Sequence, residues 1–345
     1  MKHIGLLCTA LLCICCTLTS HAQESLGQNG TLSGTVFGDY YWMAKNNDSN
    51  IQNKNGFWFR RIYLTYEHQL GESFSSRVRL EMSSSGDFQS DIEMEPTVKD
   101  AYLKWQGEDH AILGGISSTP TWGLVEDVWG YRSIEKSPLD LFDFGNSRDF
   151  GVSFTGRIGD SKKIKYHFFA GNGNSNKPDI DKGKKLMLSV GYYINDHIVV
   201  EGYADWNNRT NGLDSYTSQL FAGYRSEPFT IGALAAVQDL EPLDNISETT
   251  VDLVSLFSHF RLEENIKGYL RADHLFGRYI GGSSNSYIPF AERGEPTIII
   301  GGFDFSLNEQ VHLMPNLETI VYNEDASGLS SETDLVPRLT FFFEF

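Results

Sequence analysis

Apolar and polar residues alternate with a period of two along most of the chain. In residues 74–83, Val78 and Leu80 fall on one side of an extended backbone, while Arg77 and Arg79 fall on the other. Because successive side chains of a strand point to opposite faces, this alternation predicts a β-strand with one apolar and one polar face. Sixteen segments of this kind follow one another, near 32–44, 57–69, 73–84, 98–106, 111–118, 149–159, 162–171, 185–195, 197–206, 215–226, 228–239, 250–262, 265–277, 297–307, 310–322 and 334–345.

The length of these segments favours a membrane protein over a soluble one. Most have about 10 to 13 residues, and a tilted strand needs about 9 to 11 to cross a bilayer. Strands of soluble proteins average about 5 to 6 residues. Because water is absent from the hydrocarbon layer, strands there must close into a barrel to pair their backbone groups. We therefore predict an all-β fold, a transmembrane antiparallel up-and-down β-barrel of 16 strands.

Short and long connections alternate between the predicted strands. The short ones are rich in turn formers, such as Leu70-Gly71-Glu72 and Asn195-Asp196. The long ones include 172–184 and 278–296. Bacterial barrels have tight periplasmic turns and longer outer loops, so both chain ends are expected on the periplasmic side. The longest connection, 119–148, exceeds the usual length of a structureless loop, which indicates a role.

The first 22 residues have the pattern of a secretory signal peptide. Lys2 gives the positive start, an apolar stretch follows, and Ser20-His21-Ala22 is a small-residue cleavage site. All four cysteines lie inside this segment, so the mature chain, 23–345, is predicted to be cysteine-free and to form one barrel domain. We expect export to the bacterial outer membrane, with the signal peptide 1–22 removed.

Composition and motifs argue against nucleic-acid binding and against catalysis. Without the signal peptide the chain has 27 basic and 45 acidic residues, a net charge of −18, which disfavours nucleic acid as a partner. No histidines stand at metal-ligand spacing, and no Gly-x-Ser-x-Gly elbow occurs. His167 and His274 are interpreted as ordinary barrel positions. We therefore predict no enzyme activity, no catalytic residues, no metal site and no cofactor.

Aromatic residues cluster near the predicted strand ends. Facing lipid there, they would form the girdles that barrels carry at the two membrane interfaces. The candidates are Tyr40, Trp42, Phe57, Trp105, Trp206, Phe229 and Phe276. The last strand also alternates and stops on Phe345, which resembles the C-terminal assembly signal of outer-membrane proteins.

Several stretches resemble the phosphate-selective porin O and P family. The motifs are Leu113-Gly114-Gly115-Ile116, Thr119-Pro120, Ile134-Glu135-Lys136-Ser137-Pro138 and Ser147-Arg148-Asp149-Phe150-Gly151-Val152. The resemblance implies a sixteen-stranded barrel that assembles as a homotrimer, with the third outer loop folded into the pore as a constriction. Segment 119–148 occupies that position. Phosphate channels of this kind carry a ladder of arginines and a cluster of lysines, and this chain has no comparable ladder, so the resemblance implies a pore more directly than a particular ion.

Strand parity predicts which charged residues line the pore. On the second and third strands it turns Arg61, Arg77 and Arg79 inward, and on later strands Lys104 and Arg271. The long loop supplies candidate acidic residues for the constriction, which are Glu126, Asp127, Glu135, Asp140 and Asp143. If these carboxylates face the arginines, a transverse field would orient polar solutes in the gap. The alternative is that the charges form local salt bridges in a wide lumen.

The sequence thus predicts a porin, a passive diffusion channel for small hydrophilic solutes or ions. Selectivity for phosphate or another anion stays open. The expected partners are outer-membrane lipid, small solutes or ions in transit, and two further copies of the chain. The alternative function is a binding or adhesin barrel whose loops engage a partner while the lumen stays closed.

Overall fold

Strands account for nearly all regular structure in this computed structural model, which describes residues 24–25, 29–180, 182–209, 213–240, 249–277, 279, 281–324 and 328–345. The predicted signal peptide 1–22 lies outside the described residues. The barrel strands in the described part are β1 Gly30–Trp42, β2 Asn55–Gln69, β3 Phe74–Met82, β4 Thr97–Gln106, β5 His110–Ser118, β6 Arg148–Ile158, β7 Ile164–Gly171, β8 Lys184–Tyr193, β9 Ile198–Arg209, β10 Leu213–Arg225, β11 Phe229–Leu240, β12 Thr249–Glu263, β13 Ile266–Phe276, β14 Glu295–Ser306, β15 Val311–Asn323 and β16 Asp334–Glu344.

Every strand pairs antiparallel with its neighbour in sequence, and the last pairs with the first. Strand β16 closes the sheet on β1, with Arg338 opposite Tyr41 and Glu344 opposite Thr35. A two-residue strand, Glu24–Ser25, also pairs with β1. Closure leaves no edge strand, so the backbone groups of the wall are paired around the full circle. The predicted all-β, up-and-down barrel and its 16 strands are confirmed for the described residues.

Two glycines of β1 make room for aromatic rings of β16 at this closing seam. The Gly34 amide donates to the Phe345 carbonyl at 2.8 Å, and the Phe345 amide returns a bond to the Gly34 carbonyl at 3.0 Å. A Cβ atom on Gly34 would lie 2.3 Å from the Phe345 ring, and one on Gly38 would lie 2.8 Å from the Phe341 ring. The terminal aromatic strand therefore closes the barrel by packing over glycine.

The outer face of the barrel is apolar. On β8, Leu186, Leu188 and Val190 are exposed, while Met187 and Ser189 between them are buried. All seven predicted girdle aromatics are exposed as well. The alternation of exposed apolar and buried residues places the apolar set on the outside of the wall. No helix in the described part of the chain has the length and apolar character needed to cross a bilayer.

About half of the inner face is apolar, and a separate region of it is charged. On β10 to β15 the inward residues include Phe221, Leu253, Phe257 and Ile300, all buried. Segment 119–148, called the long loop below, contains helices α1 Gly123–Trp129 and α2 Pro138–Leu141 and packs on this half. The Trp129 ring, for example, lies edge-on to Phe257 with centroids 5.4 Å apart. The long loop and half of the wall therefore share one hydrophobic core.

Candidate functional site

Arginines and carboxylates line a different region of the inner face, on β2 to β4. Arg61 Nε lies 3.6 Å from Glu81, and Arg79 Nε lies 3.5 Å from Asp100. Arg77 Nε donates to Glu67 at 2.7 Å. All three guanidinium groups keep part of their surface exposed. The three predicted arginines therefore lie together on neighbouring strands, as parity predicts.

Two β-bulges place two further cations, Arg60 and Lys99, beside the predicted residues. Strand parity does not predict either of them. The pairing of β1 with β2 shifts between Phe37 and Gly38, which leaves Arg60 as an extra residue beside Arg61. The pairing of β3 with β4 shifts between Arg79 and Leu80, which leaves Lys99 as an extra residue beside Asp100. Because a bulge places two consecutive residues against one on the partner strand, both can face the same side. Lys99 Nζ reaches Glu81 at 2.9 Å.

The remaining two basic candidates occupy different surroundings. Lys104 is half-buried on β4, on the same face as Asp100. Arg271 on β13 faces inward as predicted, but it is only 2% exposed. Its guanidinium binds Asp273 and the Lys136 carbonyl of the long loop. The expectation that Arg271 lines the pore is therefore corrected: it lies beneath the loop and holds it, because the loop covers that part of the wall.

Two of the loop carboxylates are grouped around an arginine of the loop itself. Arg132 Nε lies 3.4 Å from Glu126, and its Nη2 lies 3.6 Å from Asp140. All three side chains are partly exposed. Burial raises the pKa of the Glu126 carboxyl, although Arg132 opposes this effect. Sequence reasoning did not assign a role to Arg132, which partly neutralises the carboxylates that were expected to face the wall.

Glu135 anchors the long loop to the charged wall. Its Oε2 lies 2.6 Å from Arg60 Nη2, with Glu135 1% and Arg60 3% exposed. Burial disfavours the ionised form of Glu135, but the Arg60 guanidinium outweighs this effect and holds the pKa of the carboxyl below its usual range. The Lys136 amide also donates to Glu135 at 2.7 Å. Glu135 is thus a buried structural anchor and has little contact with solvent.

The Arg60 anchor belongs to a larger buried charge network. Arg60 Nε lies 3.8 Å from Asp39, and Arg338 lies 3.2 Å from Asp39 and 2.9 Å from Glu318. The Trp58 indole also donates to Asp39, at 2.5 Å. The network joins strands β1, β2, β15 and β16 to the long loop through Glu135. It fixes the loop on both sides of the closing seam.

Asp127 and Asp143 lie at other points of the loop. Asp127 makes an exposed ion pair of 2.9 Å with Arg225 on β10. Asp143 accepts a hydrogen bond of 2.7 Å from the Tyr279 hydroxyl. Neither carboxylate lies against the arginines of β2 and β3, so the five acidic candidates do not form one cluster.

A second loop also turns inward at the end of the barrel that carries the long connections. Tyr287, between β13 and β14, is buried and points toward the wall. Its amide donates a hydrogen bond to the Gly86 carbonyl and its hydroxyl donates one to the Arg60 carbonyl, each at 2.9 Å. Phe290 packs on Phe142 of the long loop, with centroids 5.3 Å apart. This contact was not predicted, because nothing in an irregular segment indicates where it will pack. The loop between β13 and β14 fills one sector of the barrel mouth.

The loop group of Glu126, Arg132 and Asp140 stands opposite Arg61, Lys99 and Arg148 of the wall, and the space between the two groups is called the gap below. Asp140 lies close enough to Arg61, and Glu126 close enough to Lys99 and Arg148, to interact electrostatically across it. Among the described residues, the cations around the gap are Arg61, Arg77, Arg79, Lys99, Arg132 and Arg148. The carboxylates are Glu67, Glu81, Asp100, Glu126 and Asp140. The surroundings of the gap therefore carry one more positive than negative charge.

The histidines that sequence analysis considered make ordinary contacts on the wall. His167 Nε2 and Ser153 Oγ are 2.7 Å apart, and His274 Nδ1 and Thr297 Oγ1 are 2.8 Å apart. Within the described ranges, no three His, Cys, Asp or Glu side chains are grouped so that they could hold a metal ion.

The barrel is similar to solved structures of outer-membrane proteins at low sequence identity. The anion-selective porin from Comamonas acidovorans is 14% identical, with a TM-score of 0.68 over 92% of this chain and 99% of that chain. Salmonella typhi OmpF in complex with daunomycin is 14% identical, with a TM-score of 0.65 over 94% and 100%. A trimer form of in-vitro folded OmpT, an outer-membrane protein of Vibrio cholerae, is 13% identical, with a TM-score of 0.63 over 92% and 100%. No protein-family model and no curated protein matches the sequence. At these identities the similarity shows a shared fold.

Proposed function

We propose that this protein is an outer-membrane porin, a passive diffusion channel for small hydrophilic solutes or ions, in which the long loop narrows the pore. The observation that carries the proposal is the charged gap inside a closed barrel. Glu126, Arg132 and Asp140 stand on the loop side, and Arg61 and Arg79 stand on the wall side. Partly exposed charges keep such a gap hydrated, and charges on low-dielectric walls focus the field within it.

The balance of charge supports a weak preference for anions over cations. The excess is a single positive charge, because wall arginines pair with Glu81 and Asp100 and loop carboxylates pair with Arg132. The transverse field between the two surfaces is correspondingly moderate. This arrangement fits a general channel with mild ion preference, and it gives no ground for choosing phosphate over other anions.

The proposed setting is the bacterial outer membrane, reached with the help of the signal peptide 1–22. The apolar outer face with its aromatic residues suits contact with lipid at both interfaces. Similar folds include one that is described as a trimer form, and we propose a homotrimer for this protein too. The short turns would then face the periplasm and the long loops the outside.

Single-channel recording in planar lipid bilayers tests the proposal. We expect stepwise conductance in KCl, and a reversal potential in a KCl gradient that indicates mild anion preference. Arg79→Ala and Lys99→Gln should each shift the preference toward cations, because each removes one positive charge beside the gap. Lys163→Gln is the control, since Lys163 binds the Ile194 carbonyl near a short turn, away from the gap.

Two results would count against parts of this proposal. A protein that inserts without conductance would exclude the diffusion channel. Unchanged reversal potentials in both variants would leave the channel standing and exclude the field in the gap.

A binding or adhesin barrel with a closed lumen is the second candidate. The observation that favours it is the inward loop, in which Tyr287 reaches Gly86 and fills one sector of the mouth. Liposome swelling with sugars of increasing size separates the two functions. A closed barrel would give no permeability above empty liposomes, whereas a channel would admit sugars up to a size limit.

A further inference from the structure

A polar pocket lies at the long-loop end of the barrel, on the far side of the long loop from the charged gap. It has a volume of about 460 Å³, within the range of small-molecule sites. Its wall combines residues 143–146 of the long loop with the ends of strands β7 to β11. Carboxamide side chains predominate in it, and they are Asn146, Asn172, Asn174, Asn207, Asn208 and Gln238.

Two charged side chains reach this pocket, and only the cation has an opposite charge beside it. Lys185 Nζ is buried at 2.8 Å from Asp205, and Asp143 accepts the bond from Tyr279. The wall therefore carries one cation and one carboxylate, each with a partner of its own. An anion entering the pocket would meet no unpaired cation among the described lining residues, so the pocket suits a ligand without negative charge.

A chain of buried hydrogen bonds leads from Lys185 to the long loop. Asp205, the partner of Lys185, accepts a bond of 2.6 Å from the Tyr203 hydroxyl. That hydroxyl lies 3.1 Å from Thr121 Oγ1 at the start of the long loop. The wall of the barrel is therefore bonded to the loop beside the pocket.

The amides of the pocket are held in place by the backbone around them. Gly173 has a φ of 75°, and a Cβ atom on it would lie 2.6 Å from Asn207 Oδ1. The Gly173 amide is fixed by a bond of 2.7 Å to the buried Asp149. Gln238 Nε2 binds the Phe144 carbonyl at 3.1 Å. Such preorganisation lowers the cost of ordering the site when a ligand binds.

We propose that this pocket is a binding site for a neutral, hydroxyl-rich solute, a sugar or polyol. Each carboxamide offers a donor and an acceptor side by side, which complements neighbouring hydroxyl groups. Phe144, the one aromatic residue of the described lining, is only 2% exposed, so little ring surface is open for stacking, which disfavours nucleobases and other flat ligands. The inference deepens the proposed channel function, because such a site would concentrate sugars at the mouth of the pore.

Titration of maltose against the folded full-length barrel tests the site directly. The protein is kept in a detergent without a sugar headgroup, and binding is followed by saturation-transfer NMR. We expect saturable binding of maltose and no competition by inorganic phosphate. Asn207→Leu and Asn172→Leu should each weaken binding about tenfold, since each removes one or two hydrogen bonds from the site.

Gln89→Leu is the matched control, because it removes an exposed amide from a different connection. It should bind maltose like the parent. Folding of each variant is checked by its mobility on a gel without heating, and two variants are used so that one folding failure does not remove the test. The absence of saturable binding, equal binding by both pocket variants, or displacement by phosphate would each overturn the proposal.

The readout is independent of conductance, so the two proposals can fail separately. A conducting protein that does not bind maltose would overturn the sugar site alone. A protein that binds maltose but does not conduct would retain the site and overturn the channel.

Discussion

Removal of the Glu135 carboxylate is expected to loosen the long loop and destabilise the barrel. Glu135 and Arg60 are 1% and 3% exposed and 2.6 Å apart. Removing one partner of a buried pair costs about 3–5 kcal/mol, because the other charge is left without compensation. Without the Glu135 carboxylate, Arg60 still has the Asp39 carboxylate at 3.8 Å and the Ser133 carbonyl at 3.5 Å. For Glu135→Ala we therefore expect the lower end of that range, about 3 kcal/mol.

Glu135→Gln refines the same prediction. The amide oxygen still accepts a bond from Arg60, so the loss should be smaller, about 1–2 kcal/mol. The matched control is Asp127→Asn, which removes a loop carboxylate from an exposed ion pair with Arg225. Exposed pairs contribute little, so this change should cost less than about 1 kcal/mol.

Guanidinium unfolding followed by tryptophan fluorescence measures these differences in the free energy of unfolding. Single-channel recording adds a functional readout, since a loosened loop should produce current fluctuations that the parent and Asp127→Asn lack. The reasoning would be refuted if Glu135→Ala matched the parent in unfolding free energy and in current noise.

Two further predictions concern the gap and the closing seam. Burial raises the pKa of Glu126, so on acidification this carboxylate takes up a proton before an ordinary glutamate does. The preference for anions, measured as a reversal potential, should therefore increase as the pH falls through the pKa of Glu126. Glu126→Gln should show no such pH-dependent increase. The same shift means that folding favours protonated Glu126, so this group's contribution to stability decreases as pH rises through its pKa. Gly38→Ala places a Cβ atom 2.2 Å from the Trp58 carbonyl oxygen, and we expect a cost of about 1–3 kcal/mol and a lower folded yield on unheated gels. Gly56→Ala is the control, because its nearest neighbour would be at 3.7 Å; equal yields for the two variants would contradict the account of close packing around Gly38.

The strands of this fold could be predicted from the sequence because each carries its own alternation. All sixteen predicted segments overlap an observed strand. On β12 the alternation is weakest, since apolar residues stand at both parities there. The structure explains this: Val254 and Leu256 are exposed on the outside, while Leu253 and Phe257 are buried under the long loop. An inner face that packs on a loop is as apolar as an outer face, and alternation disappears.

The site was only partly predictable. Parity assigned Arg61, Arg77 and Arg79 to one face of β2 and β3, whereas Arg60 and Lys99 reach that region through bulges. That the three arginines line a pore stays a prediction. A bulge depends on the pairing of two strands, so one strand's sequence does not reveal it. The partners of the loop carboxylates were unpredictable for a similar reason. Glu126 and Asp140 share Arg132, whereas Glu135 crosses to Arg60, and only the folded path of the loop decides between these partners.

The shared hydrophobic core of the long loop and the wall has a consequence for engineering the pore. Excising 119–148 would not simply leave a wider water-filled channel. It would uncover Phe221, Leu253 and Phe257 on the inner wall, and apolar surface that is returned to water no longer stabilises the fold. A loop-deleted barrel should therefore be less stable than the parent, unless those wall positions are made polar at the same time.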